Sequence, residues 1–266
     1  MTKLQISIVA TSLVLLGVLY FGFEIKSPKQ AAVEQGRSLV AKSTDIDVIL
    51  KDAKSKLTPE ITNELVFLEE GAAKAKSDTA RVALLQRLSG RWYQLNEPAV
   101  AGYYAEKLAE EINTEDAWSI AGTTYSICSQ RVKETKVNEF CSQQAVKAFE
   151  SAISLNPNNI DHRINLALCY TEKPPQDNPM KGILMLVDLN KRNPDNVPVL
   201  IQLGRLAIQT GQYEKAIQRL TKAVSLQPEE SRGHCLLAKA LESNGQPEKA
   251  VRHKEICQAG LQNRGQ

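Results

Sequence analysis

Residues 197–230 read VPVLIQLGRLAIQTGQYEKAIQRLTKAVSLQPEE, a stretch of 34 residues that decides the fold. Leu200, Leu203, Gly204 and Ala207 recur at the i, i+3, i+4, i+7 spacing of one helix face. Beyond Gly211, a second such face is marked by Tyr213, Ala216, Ile217, Leu220, Ala223 and Val224, and Pro228 ends it. Small residues at Gly204 and Ala216 allow two antiparallel helices to approach closely, while Leu200 and Leu220 fill the space beside them. The stretch therefore predicts a helix pair closed by a glycine turn.

The same plan repeats on both sides, and internal periodicity is the first thing to seek in such a chain. Downstream, residues 231–264 carry Leu237, Ala238, Leu241, Gly245, Ala250, Val251 and Cys257 in register, with Pro247 in place of an aromatic. Their last helix is polar where a middle repeat is apolar, as expected of a unit with no successor to pack against. Upstream, residues 160–196 place Leu166, Ala167 and Tyr170 on one helix and Gly182, Ile183, Leu186 and Leu189 on the next, around the turn KPPQDNP. Residues 115–159 give Trp118, Ala121, Gly122 and Tyr125, then Ala145, Phe149, Ala152 and Ile153, with a lengthened connection between them. A looser pair spans residues 78–113 through Leu85, Leu88, Trp92, Ala101, Ala105 and Leu108.

At these positions the chain resembles the tetratricopeptide-repeat (TPR) family, whose pattern is a large residue, Leu-Gly or Leu-Ala, Tyr, then Gly-x-Tyr, Ala, Phe, Ala and Pro. The resemblance is close over roughly residues 115–260, loose over 78–112, and absent from the first quarter. It implies an all-α chain whose residues 78–266 form an α-solenoid of helix-turn-helix repeats.

The preceding chain reads differently. Leu4 to Phe23 contain no charged side chain and are long enough, at about 1.5 Å per residue, to cross a bilayer as a helix. Tyr20, Phe21 and Phe23 gather at one end, where aromatic rings favour the headgroup boundary. A cleaved signal peptide is the competing reading, but no small-x-small pair precedes a cut site. Residues 1–24 are thus expected to be a single transmembrane anchor, and 25–77 a helical linker in which Thr58-Pro59-Glu60 resembles a helix cap and first turn.

The resemblance also gives the cysteines a reading. Cys128 lies near the end of one helix and Cys141 near the start of its antiparallel partner, with SQRVKETKVNEF between them. A disulfide there is expected to close the extra loop, contributing about 3 kcal/mol in the chain-entropy account. Cys235 and Cys257 stand on opposite helices of the last repeat but read as small apolar packing, and Cys169 as core. Because disulfides persist in oxidising compartments, the pair predicts an N-in anchor in a bacterial inner membrane with the repeats on the periplasmic side. Flanking charge is weak evidence either way, with Lys3 on one side and Glu24, Lys26 and Lys29 on the other.

No chemistry is legible. The three histidines, His162, His234 and His253, are scattered and read as surface or cap residues. None of the common nucleophile, phosphate-cradle or zinc motifs occurs, so no cofactor, metal or catalytic residue is expected. Acidic pairs such as Glu69-Glu70 and Glu110-Glu111 read as solvated. With 33 basic and 30 acidic residues mixed along the chain, no basic face for nucleic acid stands out. A protein partner is the expectation. In TPR proteins the inner groove is formed by fixed positions of each first helix. By register these include Ile164 and Leu168, then Ile201, Arg205 and Ile208, then Arg232 and Lys239. Arg205 and Lys239 share a position in successive repeats, which suggests an apolar peptide with an acidic group or free carboxylate. The Lys-and-Asn carboxylate clamp of some family members is absent, since Ile201 and Arg205 stand there. The expected role is a membrane-tethered scaffold. The alternatives are client capture like that of the TPR proteins of cytochrome c maturation, and self-association as a structural spacer.

Overall fold

The computed structural model describes residues 46–262. The chain divides into two units, Met1–Lys56 and Leu57–Gln266. In the first, residues 46–55 are helical. The anchor expected over residues 1–24 and the first part of the linker lie outside the described residues. Among the described residues, no helix is long and apolar enough to cross a membrane.

The second unit is a run of helices: α1 (Pro59–Lys74), α2 (Asp78–Gln94), α3 (Pro98–Ile112), α4 (Glu115–Arg131), α5 (Thr135–Leu155), α6 (Ile160–Glu172), α7 (Lys181–Arg192), α8 (Val197–Gln209), α9 (Tyr213–Leu226), α10 (Ser231–Ser243) and α11 (Pro247–Gln262). Each packs chiefly on its neighbours in sequence, and first helices of successive pairs also touch, α4 on α6 and α8 on α10. That is an all-α helical-repeat solenoid. Helix starts are chemically marked: the side chains of Thr58, Ser77, Thr114 and Asn196 each accept a hydrogen bond from a backbone N–H of the first turn. Gly211 and Gly245 adopt φ of +71° and +72°, the left-handed conformation that ends a helix within a tight turn.

Inside the pair α8–α9 the expected close approach is present. A Cβ built on Gly204 falls 2.6 Å from Leu220 Cγ, and Leu220 is fully buried. Val197, Leu200, Ile201, Ala216, Leu220, Leu237 and Leu241 belong to one aliphatic core that spans α8 to α10.

Three features differ from the sequence reading. The segment between Cys128 and Cys141 is not a loop: α4 runs on to Arg131 and α5 begins at Thr135, so the insertion mostly lengthens two helices. The Asn138 amide donates to the carbonyls of Ser129 and Val132, satisfying the end of α4. Cys128 and Cys141 are bridged as expected, with Cα atoms 5.9 Å apart. Cys235 and Cys257, expected as apolar packing, are bridged as well, with Cα atoms 4.8 Å apart across the antiparallel α10–α11 pair. Glu69, expected in solvent, accepts a 2.7 Å hydrogen bond from the Tyr104 hydroxyl.

That last bond is one of three, among the described residues, between a phenol and a carboxylate on a different helix. Tyr125 donates to Glu106 at 2.7 Å, and Tyr170 to Glu150 at 3.1 Å. Burial, reinforced by the neighbouring carboxylates, holds the Tyr104 and Tyr125 hydroxyls well above the ordinary phenol range.

Candidate interaction face

The first helix of each pair supplies one face of the solenoid, and the sequence-predicted residues divide sharply on it. Ile164, Ile201 and Ile208 are buried. Ile164 packs with Val199 and Leu203 of the next pair, and Ile201 reaches toward Gly233 of α10. These aliphatic chains fill the seam between repeats, so in this conformation they are not groove lining. Leu168 is half-buried and lines a recess. Arg205 is half-buried and its Nε donates to Gln202 Oε1 at 3.0 Å. Arg232 is exposed, but its Nε is held 3.0 Å from Glu230 Oε1. Lys239 is exposed and makes no ion pair among the described residues. Glu242 on the same helix is paired instead with Lys254 of α11.

The open concavity lies further toward the N-terminus. A recess of about 700 Å³ is floored by Ser89, Gly90 and Tyr93 of α2 and by Ser119, Ile120 and Thr123 of α4, with Asp116 at its edge. A second, of about 240 Å³, lies between α4 and α6 and is lined by Gln130, Asn165, Leu168, Cys169 and Glu172. Thr123 and Ile127 belong to both, so the two are continuous. Ile120 and Tyr93 are 58% and 45% exposed, which leaves apolar surface facing the larger recess.

Electrostatics distinguish this stretch. Neither recess is lined by a lysine, arginine or histidine. Burial raises the Glu172 carboxyl above its ordinary range, against the opposing pull of the Arg205 charge and the Gln130 amide, which donates to it at 3.0 Å. Burial also pushes the Cys169 thiol up to about 11, which leaves it protonated and unreactive at neutral pH. Apart from Leu168, these residues lie outside the groove positions of the last three repeats or off the groove register. The same rule counted from Glu115 returns Asp116, Ser119, Thr123 and Ser126, all of which line the recesses.

The histidines also depart from expectation. His162 and His234 are buried. His162 Nε2 lies 3.3 Å from Glu115 Oε2. His234 Nε2 donates to the Pro228 carbonyl at 2.8 Å, and its Nδ1 lies 2.8 Å from Nδ1 of His253. Among the described residues, no cluster of three or more metal-binding side chains occurs.

Residues 183–240 match the tetratricopeptide repeat family. Among solved structures, a MamA protein is similar at 14% identity, with 69% of this chain and 93% of that one covered and a TM-score of 0.44. A fragment of MamA from Desulfovibrio magneticus RS-1 is similar at 19% identity, covering 68% of this chain and 96% of that one, with a TM-score of 0.46. Comparison with curated protein sequences gives no match.

Proposed function

We propose that this chain, a tetratricopeptide-repeat protein over residues 183–240, is a non-enzymatic scaffold that holds a partner protein or peptide on the face built by its first helices. The observation that carries the reading is the continuous pair of recesses along α2, α4 and α6, whose lining combines apolar, hydroxylic, amide and acidic side chains. An open face of this kind suits an extended segment better than a small substrate.

The proposal extends to place and tether. Residues 1–24 anchor the chain in a bacterial inner membrane with the N-terminus inside, and the repeats stand on the periplasmic side. Two bridged cysteine pairs support that orientation, because such bonds persist where the medium is oxidising. At the C-terminal end of the face, Arg205 and exposed Lys239 receive an acidic group or a terminal carboxylate of the partner.

Photo-crosslinking in the native membrane tests the scaffold reading. A photoreactive residue at Ile120 or Lys239 is expected to yield discrete protein adducts, whereas one at exposed Gln218 on α9 yields none. Equal yields at all three positions, or no adduct at any, would overturn it.

A further inference from the structure

We infer that the α2–α4–α6 stretch selects a peptide segment in which an aliphatic side chain lies close in sequence to a lysine or arginine. The inference rests on the peptide-binding reading above and names the chemistry of the segment bound there.

Three observations converge. The first is charge. The only carboxylates lining the two recesses are Asp116 and Glu172, and no cationic side chain lines either. Asp116 is exposed and has no partner among the described residues. Glu172 is exposed; its one direct hydrogen-bond donor among the described residues is the neutral Gln130 amide, and the Arg205 charge acts on it without an ion pair. A carboxylate with no cation hydrogen-bonded to it gains from an incoming ammonium or guanidinium that donates to it directly.

The second is unspent hydrogen bonding. Within the recesses Ser89 already donates to the Ala101 carbonyl and Thr124 to the Ile120 carbonyl. The hydroxyls of Ser119 and Thr123 and the amide of Asn165 have no partner among the described residues. They stand along the path that joins the two recesses, where an extended backbone presents alternating donors and acceptors.

The third is Gly90. It lies in the interior of α2, where glycine weakens a helix, yet a Cβ there meets nothing within 4 Å. Packing inside the protein therefore does not require glycine at this position. Its effect is to keep the larger recess open beside Tyr93 and Ile120, so that another chain can approach the helix closely. An aliphatic side chain fits that recess, and the basic side chain then falls toward Asp116 or Glu172.

The test uses the full chain in detergent against a positional-scanning array of blocked nonapeptides. The wild type is expected to enrich Leu, Ile, Val or Met near Lys or Arg. Gly90→Leu fills the recess while improving helix propensity, so it is expected to weaken binding by about tenfold or more, with the unfolding midpoint unchanged or raised. Asp116→Asn with Glu172→Gln keeps the shape and is expected to erase the preference for Lys and Arg. Selection of acidic peptides, indifference to charge, or full binding by Gly90→Leu overturns the inference. If Arg205→Ala with Lys239→Ala abolishes binding while Gly90→Leu does not, the peptide-binding reading stands and this inference falls. If no peptide binds the wild type, both fall.

Discussion

The two ends of the solenoid solve the same packing problem with different chemistry. From α2 to α6 the largest fully buried side chains are Trp92, Tyr125 and Phe149, and three phenol hydroxyls reach carboxylates on other helices. From α8 to α11 the interior is aliphatic, built on Leu, Ile, Val and Ala. A hydrogen bond to a charged group is directional, so it fixes one helix against the next in a single register. Aliphatic packing depends on volume and tolerates sliding until a void opens. Each end carries one disulfide, which ties a helix pair whose interior chemistry differs from that of the other.

Four perturbations sharpen or break this contrast. The largest effect is expected from Leu220→Ala, which empties a fully buried site beneath Gly204 and should cost about 2–5 kcal/mol by urea unfolding followed by helicity. A loss below about 1 kcal/mol would mean that the aliphatic core relaxes around the void. Next, replacing Cys128 and Cys141 together by alanine removes a link between residues 13 apart in sequence. It should cost about 3 kcal/mol, and calorimetry on the double variant checks this.

Third, Tyr125→Phe leaves Glu106 without the phenol, at a cost of about 1.5–3 kcal/mol. It should also change the alkaline limb of stability. The folded state raises the Tyr125 and Tyr104 hydroxyls, so it binds more protons than the unfolded chain once the pH exceeds about 10. The contribution is full below that pH and is lost as pH rises further. Urea midpoints measured between neutral pH and pH 11 should fall more steeply for the wild type than for Tyr125→Phe; parallel curves would remove the phenol–carboxylate bond as a determinant. The smallest effects form an opposed pair. Gly204→Ala drives a Cβ into Leu220 and should destabilise by about 1–2 kcal/mol, whereas Gly90→Ala meets open space and should stabilise by up to about 1 kcal/mol. Equal shifts from the two substitutions would show that packing does not distinguish them.

The helix pairs were legible because their signals are local. The spacing of Leu200, Leu203, Gly204 and Ala207 and the turn at Gly211 need only neighbours within a few positions. The phenol bonds were not, since Tyr104 and Glu69 are separated by 35 positions and nothing near Glu69 marks it as an acceptor. Register alone also could not tell which groove positions face outward. Ile201 occupies a groove position by counting, yet α10 lies close enough for it to be drawn into the seam. The connection after Cys128 is polar and so suggests a loop, but its residues suit helix and extend both neighbours. The second disulfide needed the antiparallel alignment of α10 and α11, which places positions 22 apart side by side.

That second bridge has a mechanical consequence. Tension arriving from beyond α11 reaches Cys257 and passes through the sulfur atoms to Cys235. The chain between them, including the turn at Gly245, carries none of that load. Only the end of α11 past Cys257 can be peeled away, and the rest of the hairpin stays closed while the bond is oxidised. Any pull on it is delivered directly to α10, the helix that bears Lys239.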